Sequence, residues 1–206
     1  MSRRVVSLAE PGSWTYSALL RALAGTRART GSAAEDERLR TELLADPKEV
    51  YEHAASVKLA CEELGSVCDD VRVAEFMTVQ SRGSVQHLAS TVSGQLKQGQ
   101  GPWCAFSALF PAITASGIPK RPAFDLIATL EERPRGLYAG AVLMCDDQGN
   151  LDAAVVLRSV FQENGQTWLR AGAGIVSQSR PEREYEETCE KLRSVAPYLV
   201  VADTSQ

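Results

Sequence analysis

The chain has 206 residues, of which 44% are hydrophobic and 23% are charged, the composition of an ordinary globular protein with one large domain or two small ones. A net charge of −4 provides no basic surface for nucleic acid, and no apolar run reaches the length that crosses a bilayer. The N-terminal residues lack the apolar core of a secretory signal, and the five cysteines show no CxxC spacing. We therefore expect a cytoplasmic protein with reduced cysteines, and neither nucleic acid nor a membrane as its partner.

The first half of the sequence contains one clearly signalled helix. Residues 17–23 weakly favour a helical turn, and the polar tract 29–36 predicts a surface loop. Residues 46–49 supply a capping Asp, a proline at the first helical position and a carboxylate three residues after the cap, which predicts a helix to about residue 64. Glu52 lies away from the apolar stripe of this helix, so its carboxylate faces either solvent or a pocket. The adjacent His53 is more typical of a buried, hydrogen-bonded histidine than of a ligand.

The middle of the chain predicts strand and helix in alternation. Residues 71–79 are rich in β-formers and predict a strand. Ser84 suits the cap of a following helix, and His87 lies beside that helix's apolar face, which consists of Val85, Leu88, Ala89, Val92 and Leu96. Residues 103–110 and 121–131 predict two more helices. The connecting loop 114–120 has small residues that let a backbone approach a ligand.

From residue 137 the pattern changes to that of extended strands. Segments 138–144, 151–161 and 167–175 predict a three-stranded antiparallel meander, with Asn164-Gly165 as a hairpin turn. A helix-rich half followed by such a sheet indicates an α+β fold. Arg158 stands in an apolar strand, and a buried arginine there needs an anion, either a structural carboxylate or a ligand. Tyr138, on the neighbouring predicted strand, offers a hydroxyl near the same anion.

The last helix begins at Pro181 and is acidic in its first turns. Its periodicity predicts a buried stripe of Tyr185, Thr188, Cys189, Leu192 and Ala196. Glu184 and Glu187, three residues apart at the edge of that stripe, suit a shared hard cation such as Mg²⁺. The alternative is a solvated acidic helix, because charge runs usually face water.

Taken together, these segments resemble the chorismate-utilising enzymes, and the salicylate synthases in particular. The resemblance is carried by residues 83–88, 114–120, 134–138, the strand ending at Arg158, and 169–175 with the acidic helix after them, all in the family's order. It extends over residues 23–201. It implies a layered helix and antiparallel-sheet fold, present as its C-terminal half in a chorismate-binding domain of residues 23–206, after a divergent segment of residues 1–22.

The resemblance also implies a set of site residues and a cofactor. It makes Glu52 and Glu187 ligands of Mg²⁺, with Glu184 acting through water. It places Arg158, Tyr138 and the Gly172 backbone on the enolpyruvyl carboxylate of chorismate. The remaining residues that it places along the pocket are Gly25, Thr26, His87, Thr114 and Lys191.

The implied activity is conversion of chorismate through isochorismate to salicylate and pyruvate, a step in making siderophore precursors. An isochorismate or anthranilate synthase type of enzyme, or a non-catalytic remnant that keeps the carboxylate and metal pockets, are the alternatives. The family's water-activating lysine and its acid glutamate precede the segment that matches residues 24–27, and residues 1–22 offer no counterpart, Glu10 included. We therefore assign no catalytic residue, and expect a truncated enzyme with little activity and an exposed apolar sheet surface that favours self-association.

Overall fold

The computed structural model describes residues 4–8, 16–82 and 85–200. Its strands are β1 (Arg4–Leu8), β2 (Tyr16–Ala28), β3 (Cys68–Arg82), β4 (Val85–Leu96), β5 (Ala141–Cys145), β6 (Leu151–Val155), β7 (Val160–Glu163) and β8 (Gln166–Leu169). Its helices are α1 (Ala33–Ala45), α2 (Pro47–Val67), α3 (Pro102–Leu109), α4 (Lys120–Leu130) and α5 (Pro181–Arg193). Short 3-10 turns occur at Ile113–Ala115 and Ala196–Tyr198. The sequence-based expectations for Glu10 and for the Ser84 cap lie outside the described residues.

The fold is built on a six-stranded antiparallel sheet in the order β3-β4-β2-β1-β6-β5. Helices α2 and α3 pack against it, and the mixture of helices with an antiparallel sheet confirms the α+β expectation. The core lies between the sheet and α2, where Val57, Ala60 and Leu64 meet Ala18 of β2 and Val92 of β4. The sequence-based start of the family-like region, residue 23, falls within β2, and that division stays a prediction.

Helix α2 begins where its sequence signals predict. The Asp46 side chain caps it by accepting hydrogen bonds from the backbone N–H groups of Lys48 at 3.0 Å and Glu49 at 3.4 Å, and Pro47 occupies the first turn. Polar capping of this kind satisfies helix-start donors that otherwise lack a partner. The first turn of α2 is therefore fixed in place, which is important because that turn carries Lys48 and Glu49.

The segment predicted as a helix over residues 84–96 is strand β4, so that prediction was wrong. Most residues of β4 are buried, because the strand lies between β3 and β2 in the sheet. A strand that is buried on both faces need not alternate apolar and polar residues, and here the apolar residues happen to recur at helical spacing while Gln86, Ser90 and Thr91 between them are buried too. The same cause explains residues 17–23, which belong to β2 and not to a helical turn. The predicted loop 29–36 is also shorter than expected, since α1 begins at Ala33.

The C-terminal strands do not form one meander. Strands β5 and β6 pair at the edge of the large sheet, while β7 and β8 form a separate hairpin. The hairpin turn is at Asn164 and Gly165, as predicted, and both have the positive φ, 50° and 74°, of a tight primed turn. Arg158 lies in the connection between β6 and β7, at φ 51°, and not within a strand. Tyr138 lies in a turn before β5, so the prediction that these two side chains share adjacent strands was wrong.

Several large apolar side chains on the sheet edge and on α4 are exposed to solvent. On edge strand β5, Val142 and Met144 are each 65% exposed, and on α4 Leu130 is 75% exposed. Contiguous exposed apolar surface is uncommon on a monomer and marks a surface that another chain or segment covers. Within the described ranges, no helix is both long enough and apolar enough to span a bilayer.

Candidate functional site

The end of β2 lies against the start of α2. From β2, Arg27 forms ion pairs with Asp46 at 2.6 Å and Glu49 at 3.4 Å. Gly25 has φ +74°, and a Cβ added there would lie 2.9 Å from Glu49 Oε2 and 3.2 Å from Leu43 Cδ1. Only a glycine allows the strand to turn and approach the helix this closely. Residues 25–27 are thereby held beside the carboxylates of the first turn of α2.

The carboxylates of α2 and α5 converge, although the two helices are far apart in the sequence. The ammonium Nζ of Lys48 lies 2.5 Å from Glu184 Oε1 and 3.6 Å from Glu52 Oε1. Glu187, one turn after Glu184, pairs with Lys191 at 2.8 Å. We call Glu49, Glu52, Glu184 and Glu187 the carboxylate cluster. Glu52, Glu184 and Glu187 are close enough for their charges to act on one another, while their expected role as metal ligands stays a prediction.

Burial and mutual repulsion affect the protonation of this cluster. Burial raises the pKa of Glu52 above its ordinary value, Lys48 opposes the rise, and Glu49, Glu187 and Glu184 add to it. Burial likewise raises the pKa of Glu49, against the attraction of Arg27. Burial also acts to raise the pKa of Glu184, but the hydrogen bond and charge of Lys48, together with hydrogen bonds to Ser179 and Glu187, outweigh it, and the pKa lies below its ordinary value.

The face of α5 that packs inward differs from the predicted one. Glu184 is only 5% exposed, whereas Tyr185, expected in the buried stripe, is 72% exposed. The solvated-helix alternative is therefore wrong for Glu184. The spacing of apolar residues could not identify this face, because an ion pair between Glu184 and Lys48 turns it inward. Hydrophobic packing does not.

The loop before α5 lies along the same cleft. Lys191 donates a hydrogen bond from Nζ to the Gly172 carbonyl at 2.9 Å, as well as pairing with Glu187. A Cβ added at Gly174 would lie 4.0 Å from Glu52 Oε2, and one added at Gly172 would lie 3.5 Å from the Tyr138 hydroxyl. The backbone of residues 172–174 therefore passes between the carboxylate cluster and Tyr138.

Thr26 and His87 meet across paired strands at the edge of this region. They are register partners on β2 and β4, and Thr26 Oγ1 lies 3.0 Å from His87 Nδ1. His87 Nδ1 is also 3.3 Å from the Gly25 carbonyl. His87 was expected beside the apolar face of a helix, and is instead placed near Gly25 and Thr26 by strand pairing.

Tyr138 is flanked by two arginines that the sequence analysis did not single out. The guanidinium of Arg135 lies 5.7 Å from the ring centroid of Tyr138, and that of Arg170 lies 5.4 Å from it. Glu131 pairs with both arginines, at 2.5 Å and 2.7 Å. Arg135 also donates to the Ala115 carbonyl, next to Thr114, at 2.5 Å. This network orients the Tyr138 ring, and its only sequence signal is the spacing of Glu131 and Arg135, four residues apart.

Arg158 is exposed to solvent, so the expectation of a buried arginine was wrong. The surrounding protein still removes enough water to lower its pKa, which the negative charge of Glu187 opposes. Its side chain forms no ion pair with any residue that the structure describes. A structural carboxylate is therefore not the anion that pairs with Arg158. A non-glycine residue at φ 51° carries backbone strain, and such strain is concentrated at binding and catalytic sites. Arg158 thus offers a guanidinium to an external anion.

The carboxylate cluster suits Mg²⁺ in its chemistry, since Mg²⁺ prefers oxygen ligands and takes one or two carboxylates with water. Glu52 Oε1 and Glu184 Oε2 are buried and have no hydrogen-bond partner. An unpartnered buried carboxylate oxygen is costly, and a cation relieves that cost. Among the described residues, however, no group of three His, Cys, Asp or Glu side chains forms a ready-made ion site. Lys48 lies among the carboxylates instead.

Comparison with known proteins places the chain in a family. A family model described as chorismate binding enzyme matches residues 16–197. The chain belongs to the chorismate-binding enzyme family. The salicylate synthase of Mycolicibacterium paratuberculosis is 52% identical to it over 180 residues, covering 86% of this chain and 40% of that protein. Anthranilate synthase component 1 of Aquifex aeolicus is 40% identical over 188 residues, covering 90% and 38% respectively.

Solved structures agree with the family and the fold. A putative 2,3-dihydroxybenzoate-specific isochorismate synthase, DhbC from Bacillus anthracis, superposes with a TM-score of 0.81 at 30% identity, covering 94% of this chain and 51% of that one. MenF, the menaquinone-specific isochorismate synthase of Escherichia coli, gives a TM-score of 0.80 at 27% identity, covering 97% and 44%. The chain thus spans roughly two fifths to one half of the length of these relatives.

The close approach at Gly25 generates a testable expectation. Replacing Gly25 with Ala forces an L-residue into positive φ, at about 1–2 kcal/mol, and also brings its Cβ against Glu49 and Leu43. Gly31→Ala is the matched control, since Gly31 has φ +87° but nothing within 4 Å of an added Cβ. We expect urea unfolding to show that Gly25→Ala loses about 1 kcal/mol more than Gly31→Ala. Equal losses in the free energy of unfolding would mean that α2 moves away from an added Cβ at residue 25 at no measurable cost.

Proposed function

We propose that this chain forms the chorismate-binding part of an enzyme that converts chorismate through isochorismate to salicylate and pyruvate. The observation that carries the proposal is the convergence of carboxylates from α2 and α5, with the guanidinium of Arg158 close enough for the charge of Glu187 to act on it. Support for the salicylate type comes from the 52% identity to a salicylate synthase. The physiological setting that goes with it is salicylate supply for siderophores in the cytoplasm.

A substrate with two carboxylates uses both ends of such a cleft. Glu52, Glu184 and Glu187 would hold Mg²⁺, which when bound neutralises the charge of the ring carboxylate. Arg158 binds the enolpyruvyl carboxylate through its planar fork, and Tyr138 adds a hydroxyl donor beside the Gly172 backbone. Lys191, Gly25, Thr26, His87 and Thr114 complete the pocket wall. The two substrate carboxylates thereby fix the orientation of the ring between them.

A second candidate is an isochorismate or anthranilate synthase type of enzyme. It is favoured by relatives at 40% to 43% identity that are anthranilate synthase components, and by two isochorismate synthases among the similar structures. The third candidate is a binding module without catalysis. In it, the carboxylate cluster and Arg158 hold an anionic ligand without turning it over.

A chimeric protein separates the three. The chain is joined to the N-terminal portion of the Mycolicibacterium paratuberculosis salicylate synthase, so that every segment of that relative is represented. Salicylate, followed by its fluorescence in chorismate and Mg²⁺, is the expected product. Isochorismate or, with an ammonia source, anthranilate as the main product would favour the second candidate. Chorismate binding without any turnover would favour the binding module.

The chain by itself should bind chorismate but turn it over very slowly. Attack by water needs a base and release of hydroxide needs an acid, and each group contributes about 10² to 10⁴ in rate. We therefore expect salicylate formation at least about 10⁴-fold slower than by the full-length relative. Comparable rates would contradict this, and would point to Lys191 or His87 as the source of the missing proton transfer.

Arg158 should dominate the affinity for the substrate. Charge-assisted hydrogen bonds contribute roughly 1.5–3 kcal/mol each, so Arg158→Gln should weaken chorismate binding by about 10- to 100-fold in calorimetric titration. The matched control is Arg193→Gln, whose guanidinium pairs with Glu186 at 2.6 Å on the exposed side of α5. A loss of affinity in both variants alike would assign the effect to general charge and not to a site.

The apolar edge of the sheet should make the isolated chain self-associate. Strand β5 ends the six-stranded sheet and exposes Val142 and Met144, so a second copy is able to pair there. We expect gel filtration to show species larger than the monomer, and Met144→Lys to reduce them. Leu130→Lys is the control, since Leu130 is 75% exposed but lies at the end of α4 and not on a sheet edge. A monomer at all concentrations would refute association through this edge.

A further inference from the structure

Lys48 has no role in the proposed binding scheme, yet it lies in the middle of the carboxylate cluster. We propose that the Lys48 ammonium is an internal counter-cation, which stabilises the metal-free cluster and must leave it when a divalent cation binds. This inference rests on the proposed Mg²⁺ site. It assigns Lys48 to the control of metal affinity, and neither to catalysis nor to a lasting structural ion pair.

The geometry of Lys48 is that of a bridge between the two helices. From the first turn of α2, its Nζ reaches Glu184 of α5 at 2.5 Å and Glu52 of its own helix at 3.6 Å. The Lys48 side chain is 20% exposed and that of Glu184 is 6% exposed, so the contact is largely screened from water. A partly buried pair loses less of its strength to solvent and salt than an exposed pair.

The other cations beside the cluster each share a group outside it, and one of them, Arg183, feels the charges of Glu187 and Glu49 but pairs with Glu190. Arg27 forms ion pairs with both Glu49 and Asp46. Lys191 forms an ion pair with Glu187 and a hydrogen bond to the Gly172 carbonyl. Lys48 alone contacts carboxylates of both α2 and α5 among the residues that the structure describes. Without Lys48, Glu52 and Glu184 would face each other with no positive charge between them. Two uncompensated carboxylates at close range destabilise a fold.

A divalent ion and this ammonium compete for the same oxygens. Glu184 Oε1 is occupied by Lys48, whereas Glu184 Oε2 and Glu52 Oε1 have no hydrogen-bond partner. Lys48 Nζ is 3.6 Å from Glu52 Oε1 as well, so a cation bound to these two carboxylates lies within a few ångströms of Nζ, where like charges repel strongly in a partly buried setting. The lysine has a flexible four-carbon stem, so the ammonium is able to swing into solvent without moving the helix. Metal binding therefore exchanges one cation for another, and the exchange lowers the apparent metal affinity.

The test compares charge removal at Lys48 with charge removal at a similar pair elsewhere. Lys48→Met removes the charge and keeps most of the stem, and Lys48→Arg keeps the charge. The control is Lys120→Met, because Lys120 pairs with Glu63 at 2.6 Å with both side chains mostly buried, further along α2. Mn²⁺ serves as the probe, with free Mn²⁺ counted by electron paramagnetic resonance and Mg²⁺ measured by competition. The unfolding temperature of each metal-free variant is recorded in parallel.

We expect Lys48→Met to bind Mn²⁺ at least about tenfold tighter than the unmodified chain and to unfold at a lower temperature without metal. Lys48→Arg and Lys120→Met should leave the Mn²⁺ affinity within about twofold. Equal or weaker Mn²⁺ binding by Lys48→Met, with normal binding by the unmodified chain, would overturn the inference and leave the proposed metal site intact. Failure of every variant to bind Mn²⁺ would overturn the metal site, and the inference with it.

A second measurement on the unmodified sequence covers the case in which Lys48→Met does not fold. Lysines are reductively methylated with ¹³C, and the Lys48 signal is assigned by its loss in Lys48→Arg. On addition of Mg²⁺ we expect this signal to move to the position of a solvent-exposed lysine, while the Lys120 signal stays unchanged. A Lys48 signal that does not move at saturating Mg²⁺ would overturn the displacement.

Discussion

The close approach of carboxylates on two separate helices is the constraint on which this cleft depends. Carboxylates that repel one another stay together only where cations are interleaved with them, and here Arg27, Lys48 and Lys191 each bind at least one member of the cluster. Two features of the surrounding backbone keep these charged side chains close to one another. The Asp46 cap fixes the first turn of α2, and Gly25 lets the strand pass close to it.

The opposite wall of the cleft is organised by a different interaction. Two arginines share Glu131 and lie against the ring of Tyr138, so aromatic and ionic contacts together fix the tyrosine hydroxyl near residue 172. Arg158, in contrast, has no such partner among the described residues and is held by a backbone at φ 51°. The two arginines beside Tyr138 are thus paired within the chain, while the guanidinium of Arg158 is available to a ligand. Backbone strain that no contact within the chain offsets is typical of a residue that binds a ligand.

The sequence predicted best where the signal is local. The helix start at Asp46 and the hairpin turn at Asn164-Gly165 were confirmed, because capping and turn chemistry involve only adjacent residues.

Prediction from the sequence failed for β4, whose burial on both faces comes from its central place in the sheet. It failed again for the inward face of α5, since the partner of Glu184 is Lys48, 136 residues away. Lys48 itself gave one sequence signal, its spacing of four residues from Glu52, which is common on solvated helices and so not decisive. The family resemblance named Glu52, Glu184, Arg158 and Lys191, but not Lys48 or Arg27, the other two cations that pair with the cluster.

The matched relatives carry three different names, salicylate synthase, anthranilate synthase and isochorismate synthase, and all of them share this region of the fold. We propose that the region contributes a step that those proteins have in common, and that this step is holding the substrate's carboxylates. Differences in product then arise from which nucleophile reaches the ring and which group supplies or removes a proton. Those events depend on positions around the ring and not on the anchors at its two ends. We infer that the carboxylate cluster and Arg158 determine whether the substrate binds, while residues outside these anchors determine what it becomes.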